Sequence, residues 1–327
     1  VKLFCTYKHT EKPWGGANSF IRSIYKFMEK EGNAEVSFDS IDDSTTHIFI
    51  NQLSKGPERG TLSKKEIKQI LQVASEKGIP IITRVVNLKA HAFNIGIRYL
   101  LFGIKDDILT YFLIRKSDLT IFQSHYQKEF FLKYAPFFWR KKVEENSIII
   151  HNGAGEFYNQ NSFDKELSDS DELVLVSNTF SPRKTKRHDI IRDIASLDGV
   201  KVRHIGNWPK GQSAGNVILE GVKTKEQIKE IYAESHYLLH PAIKDPCPNV
   251  LFEAIISGLP VIYNSDTGSS AEIVKNNGFA FNEMPIEHLV SYSKKHRKNY
   301  VDNVRNSRDF FSIKRAVKEY LSEIKKL

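Results

Sequence analysis

The chain has 327 residues, 40% hydrophobic and 27% charged, which excludes global disorder and suffices for two ordinary domains. Its net charge of +9 favours anionic partners: nucleotide diphosphates, an anionic membrane surface or nucleic acid. The two cysteines, Cys5 and Cys247, lie in different halves and make neither a disulfide framework nor a metal spacing.

That cysteine usage, an opening without signal-peptide character and the lack of any uninterrupted apolar run of roughly 18 residues all point to a cytoplasmic protein. Strands and helices alternate almost throughout. Residues 1–7 form a candidate strand, and Gly15-Gly16 opens a helix that Gly32-Asn33 stops. Residues 47–51 are β-rich, 64–77 make an amphipathic helix closed by Gly78, and 79–86 a strand. A long helix is expected over 96–116, then a strand at 119–124, a helix at 125–134 and a strand at 148–150. The polar stretch 159–172 is the linker candidate. The alternation then restarts, with strands at 173–177, 200–205, 217–219 and 237–240 and helices at 188–197 and 224–234. Two such blocks imply an α/β chain with two doubly wound parallel sheets, ligands binding at the carboxyl ends of the strands.

The most informative segment runs from His240 to Val274. Asp245 sits in a loop and Glu253 in the first turns of the helix that follows, with Asn249 and Val250 at its start. Pro248 is tolerated in a first turn, where its missing N–H would be unpaired anyway. Free N–H groups and the helix dipole there favour an anionic ligand, and a sugar nucleotide suits such a site.

This segment resembles the donor-binding signature of the retaining GT-B glycosyltransferases of family 4. The shared order reads Asp245, Glu253, Ala254, Gly258, Pro260, Val261, Gly268, Glu272, Ile273 and Val274. Two features depart from it. The first acid is Asp rather than Glu, and Pro246-Cys247-Pro248 replaces a Gly-aromatic-Gly run, so two backbone donors near the donor sugar are absent. A subset of polysaccharide-type members has a similar loop.

The resemblance implies two Rossmann-like domains facing a cleft. Residues 1–158 would form the acceptor side, 159–172 the linker and 173–300 the nucleotide-sugar domain. Helices in 301–327 would pack back on the first domain. It also implies residue roles. Glu253 would accept hydrogen bonds from ribose and Asp245 would hold donor-sugar hydroxyls, with Asn249, Val250 and Gly268 completing the donor site. Gly15-Gly16, weak evidence alone, matches the family's first-domain phosphate loop. In residues 181–188, Lys186 matches the family's phosphate-binding Lys. The companion Arg is replaced by Asn178, so Arg183 is the candidate second cation. Arg84, Asn87 and His91 follow a first-domain strand and His9 follows the first strand; all are expected on the acceptor side, His91 as an orienting group.

Residues 126–142 mix aromatic and basic side chains, a composition that suits a membrane interface or a core-packed helix. No nucleic-acid motif accompanies them. The reading is a metal-independent retaining glycosyltransferase without a cofactor. It would move a sugar from a UDP or GDP donor to a glycan or lipid-linked acceptor in surface polysaccharide synthesis. A GT-B epimerase or hydrolase and a non-catalytic glycan-binding scaffold remain as alternatives. Nucleotide release that depends on acceptor separates the first from a transferase, and absence of nucleotide binding would favour the second.

Overall fold

The computed structural model describes residues 1–11, 16–32, 34–88, 103–158 and 171–327. They form two compact units, Val1–His151 with Ala316–Leu327, and Asn152–Arg315.

The first unit carries a parallel sheet in the order β2 (Glu35–Ser37), β1 (Lys2–Cys5), β3 (His47–Asn51), β6 (Ile81–Arg84), β7 (Leu119–Phe122) and β8 (Ser147–Ile149). β6 and β7 are buried along their whole length, as expected of parallel strands covered on both faces. Ile48, Ile50 and Ile81 share one core with Ile67 and Ala74 of helix Lys64–Lys77. Phe49 points to the opposite face, where its ring lies 6.1 Å from that of Tyr320. Local sequence sets the helix ends. Ser63 and Glu66 close a capping box, and Gly78 ends the helix at φ 63°.

β6 stops at Arg84, short of the expected 79–86, because side chains take over its backbone partners. Gln52 accepts from the N–H groups of Val86 and Asn87, while Gln123 and Gln127 donate to the Val86 carbonyl. The helix expected at 96–116 is seen over Ile104–Lys116; residues 89–102 lie outside the described residues. A small antiparallel hairpin, β4 (Ser54–Gly56) with β5 (Gly60–Thr61), and helix Phe137–Glu145 add to the expected elements.

The second unit carries a parallel sheet ordered β11 (Ile218–Gly221), β10 (Val200–Gly206), β9 (Leu173–Thr179), β12 (Tyr237–His240), β13 (Val261–Tyr263) and β14 (Gly278–Ala280). Alternation along the strands sorts the two faces. Tyr237, Leu239 and Ile262 join a core with Ile191 and Ile194 of helix His188–Ala195 and Leu289 of helix Leu289–Ser307. Leu238, Val261 and Tyr263 join the other core, with Leu251, Phe252 and Ile255 of helix Asn249–Ile256. Winding reverses between β9 and β12, and in doubly wound sheets ligands bind at the carboxyl ends of the strands at such a reversal. The fold class is therefore the expected one, α/β with two six-stranded parallel sheets.

Candidate active site

The two loops at that reversal carry the central pair. The loop after β9 makes a short 3-10 turn, Lys184–Lys186, and the loop after β12 carries Asp245. Lys186 Nζ lies 2.6 Å from Asp245 Oδ2, and both side chains are mostly buried. Burial works to raise the Asp245 carboxyl, but Lys186, together with His240 and the Cys247 N–H, overrides it and holds the group below its ordinary range.

The chain is strained on both sides of this pair. Arg187 and Lys244 adopt φ values of 52° and 58°, the left-handed region that non-glycine residues rarely enter. Such strain clusters where surrounding structure over-determines the backbone. Here Ile243 N–H donates to Thr185 O, joining the two loops, and Lys244 N–H donates to Thr267 O. Arg187 thus keeps a glycine-like backbone conformation. Its guanidinium pairs with Asp189.

Gly268 holds Asp245 from the other side. Its φ is +120°, and an added Cβ would stand 3.1 Å from Asp245 N and 3.2 Å from Asp245 O. Ser269 fastens the same contact, its N–H and Oγ both donating to Asp245 O. Gly268 thus acts on the Asp245 backbone in this structure.

Helix Asn249–Ile256 begins with Pro248 and has no side-chain cap, so its first N–H groups are left without one. Asn249 Oδ1 accepts from Asn152 Nδ2 at 2.7 Å, while Val250 is half-buried. Glu253 lies one turn further along. Burial pushes its carboxyl up to about 7, with Lys225 opposing the shift. Tyr158 and Tyr232 are raised well above the ordinary phenol range, by burial first and then by Glu253. Asn178 donates to the Tyr232 hydroxyl at 3.0 Å, so the residue in the place of the family's Arg is a partner of this tyrosine group.

His240 is a residue that motif spacing does not single out. It ends β12, is 5% exposed, and its Nε2 is buried without a hydrogen-bond partner. Burial and Lys186 hold its ring neutral, down to about 4, with Asp245 opposing. Its sequence signal is its place at a strand's carboxyl end, directly before Pro241.

The remaining expected residues fall elsewhere. Arg183 is exposed and forms no ion pair among the described residues; only its carbonyl is used, accepting from Lys186 N–H. Arg84 differs from an acceptor-facing group. It is 1% exposed, donates to Asn51 and Gln123, and lies over the Phe20 ring, so it ties strand ends together. The Asn87 backbone is held by Gln52. His9 packs between Tyr25 and Phe38, and burial lowers its ring from the ordinary imidazole range, with Glu11 opposing. Gly16 starts helix Gly16–Gly32, whereas Gly15 and His91 lie outside the described residues.

Residues 211–307 match the family described as Glycosyl transferases group 1, a span that includes Asp245, Asn249, Glu253 and Gly268 but not Lys186. No curated protein matches the chain. Solved structures resemble it over nearly its whole length. HepE from Anabaena, solved with UDP and glucose, is 14% identical, with a TM-score of 0.65 over 100% of this chain and 99% of that one. Sucrose-phosphate synthase from Thermosynechococcus elongatus is 11% identical, with a TM-score of 0.66 over 99% and 98%. WaaG, a glycosyltransferase involved in lipopolysaccharide biosynthesis, is 17% identical, with a TM-score of 0.62 over 99% of each chain. At these identities the likeness is one of fold, the two-sheet GT-B architecture.

Proposed function

We propose that the chain is a retaining glycosyltransferase of family 4 that uses a nucleotide-sugar donor, without a metal or cofactor. The observation that carries this is the Lys186–Asp245 pair at the strand-order reversal, beside the uncapped start of helix Asn249–Ile256 with Glu253 one turn along. A nucleoside diphosphate needs a fixed cation, backbone donors and an acceptor for its ribose hydroxyls, and this arrangement offers each.

Lys186 then meets the charge that develops on the departing diphosphate, with the helix N–H groups assisting. Asp245, kept ionised, accepts from donor-sugar hydroxyls. Glu253 accepts from ribose in its carboxylate form. His240 Nε2, neutral and unpartnered, is a further acceptor beside the pair. Asn249 and Val250 line the helix start, and Gly268 acts by holding Asp245. Arg183, with a long exposed side chain, is assigned the second cation that swings in with the donor. The first unit is assigned the acceptor, a glycan or lipid-linked glycan of a surface polysaccharide, with Asn87, His91 and His9 on the acceptor side and Gly15-Gly16 as a turn for the donor phosphates. The place of work is the cytoplasmic face of the membrane.

HepE was solved with UDP and glucose, so UDP-glucose is the first donor to test and GDP-sugars the second. Titration calorimetry should show binding of UDP or GDP to the wild type and marked weakening in Glu253→Ala, by roughly 2–3 kcal/mol, the range for hydrogen bonds to charged groups. Absence of binding by either nucleotide or its sugars would overturn the proposal.

A further inference from the structure

Among the described residues, the most exposed large apolar side chains are adjacent. Phe137 and Phe138 are 84% and 75% exposed, at the first turn of helix Phe137–Glu145. The inner face of this helix is secured. Val143 is buried, the Trp139 ring lies 6.4 Å from that of Tyr111, and the Arg115 guanidinium lies over it. Trp139 and Val143, four positions apart, mark the inward side. At 100° per residue Phe137, Phe138 and Lys141 fall on the outward side. The two phenylalanines are thus held outward by a helix anchored on its other face.

Charge is sorted along the same helix. Arg140, Lys141 and Lys142 follow Trp139 along it, Lys133 lies near the end of the preceding helix His125–Tyr134, and all four are exposed. The acids Glu144 and Glu145 come only at the far end, where Glu145 makes a loose, exposed contact of 3.8 Å with Lys141. Arg140 also donates to the carbonyls of Ala135 and Lys133, so its charge is fixed beside the phenylalanines. A packed protein partner would have to bury these bases. A bilayer takes apolar rings below its headgroups and leaves bases among anionic phosphates.

We propose that the first turn of helix Phe137–Glu145 inserts into an anionic bilayer surface, the two rings entering the acyl boundary and the four bases meeting lipid phosphates. This deepens the lipid-side part of the functional reading but rests on none of its donor-site residues. Salt should weaken the attachment, because exposed charges are screened over about 8 Å at physiological ionic strength.

The test is co-sedimentation with vesicles, without nucleotide or acceptor. Wild type should bind vesicles of phosphatidylglycerol and phosphatidylcholine, and bind pure phosphatidylcholine much less. The variant F137S/F138S should partition on the order of 10–100-fold more weakly. K141E/K142E should lose at least about fivefold per base removed, together with much of the salt dependence. Unchanged circular dichroism and melting show that the variants fold. No wild-type binding, equal binding to both lipids, or an F137S/F138S variant that binds like wild type would each overturn the proposal. So would a concentration-dependent dimer abolished by F137S/F138S, which would assign the patch to a second copy of the chain. Vesicle binding without nucleotide binding would sink the donor reading alone, and the converse would sink this one alone.

Discussion

Single side chains divide the work of the site, and their charges make that division measurable. Glu253 has its folded-state carboxyl raised to about 7 from an ordinary value near 4.5. Between those values the folded chain holds a proton that the unfolded chain has lost. This group therefore costs stability as pH rises through that window and adds no further change above it. Nucleotide binding should run the other way, because ribose hydroxyls need the carboxylate as acceptor. Affinity should rise about tenfold from pH 6 to pH 8, and Glu253→Gln should flatten that rise. An identical pH profile in the variant would remove Glu253 from the contact.

Lys186 calls for two measurements, since it holds both a buried partner and the expected leaving group. Lys186→Ala should lower turnover on the order of 10²–10³-fold, as for loss of one preorganised donor. It should also destabilise the fold, because Asp245 is left buried without its cation. Adding Asp245→Asn should restore stability and leave turnover low. If the double variant regains activity along with stability, Lys186 is only a structural partner. Gly268→Ala is a purely steric probe. It meets both a left-handed φ and the Asp245 backbone, and should cost about 1–3 kcal/mol in urea unfolding.

Elements were legible where their ends or their burial are written locally. Helix Lys64–Lys77 announces itself through Ser63, Glu66 and Gly78, and helix Lys225–Ala233 through Thr224 and Gln227, which close a second capping box. Central strands show as apolar runs because helices cover both sheet faces. The loop that carries Asp245 was legible as a unit too, since Asp245, Glu253 and Gly268 stand in a recognisable order. Long-range pairings were not. Arg84 reads as a cleft residue because it ends a strand, yet its partners lie 33 and 39 positions away. The Lys186–Asp245 contact spans 59 positions, so spacing could nominate each residue but not their union. Helix Phe137–Glu145 defeats pattern reading for another reason: its aromatic and basic run suits an interface or a core alike, and only its geometry turns two of three rings outward. Removing one capping box tests how far local signals carry stability. Ser63→Ala should cost about 1 kcal/mol in thermal or urea melts while nucleotide affinity stays unchanged.

At the scale of the whole molecule, the two units share a winding plan but differ in chain continuity. The second unit is one uninterrupted segment, Asn152–Arg315, whereas the first draws on Val1–His151 and Ala316–Leu327. In the late segment Ala316, Tyr320 and Ile324 are fully buried, and Tyr320 meets Phe49. Domains usually fold in the order of synthesis, amino-terminal first. Here that order cannot be completed: the translating ribosome must finish all of Asn152–Arg315 before the first unit receives its last core side chains. During that interval the sheet of the first unit stands with an open apolar face, an invitation to chaperones and proteases. A nascent chain stalled with residue 315 just outside the exit tunnel should therefore be cleaved by protease within residues 1–151 while Asn152–Arg315 is already protected. Equal protection of both segments at that length would show that the first unit closes without its late-arriving helix.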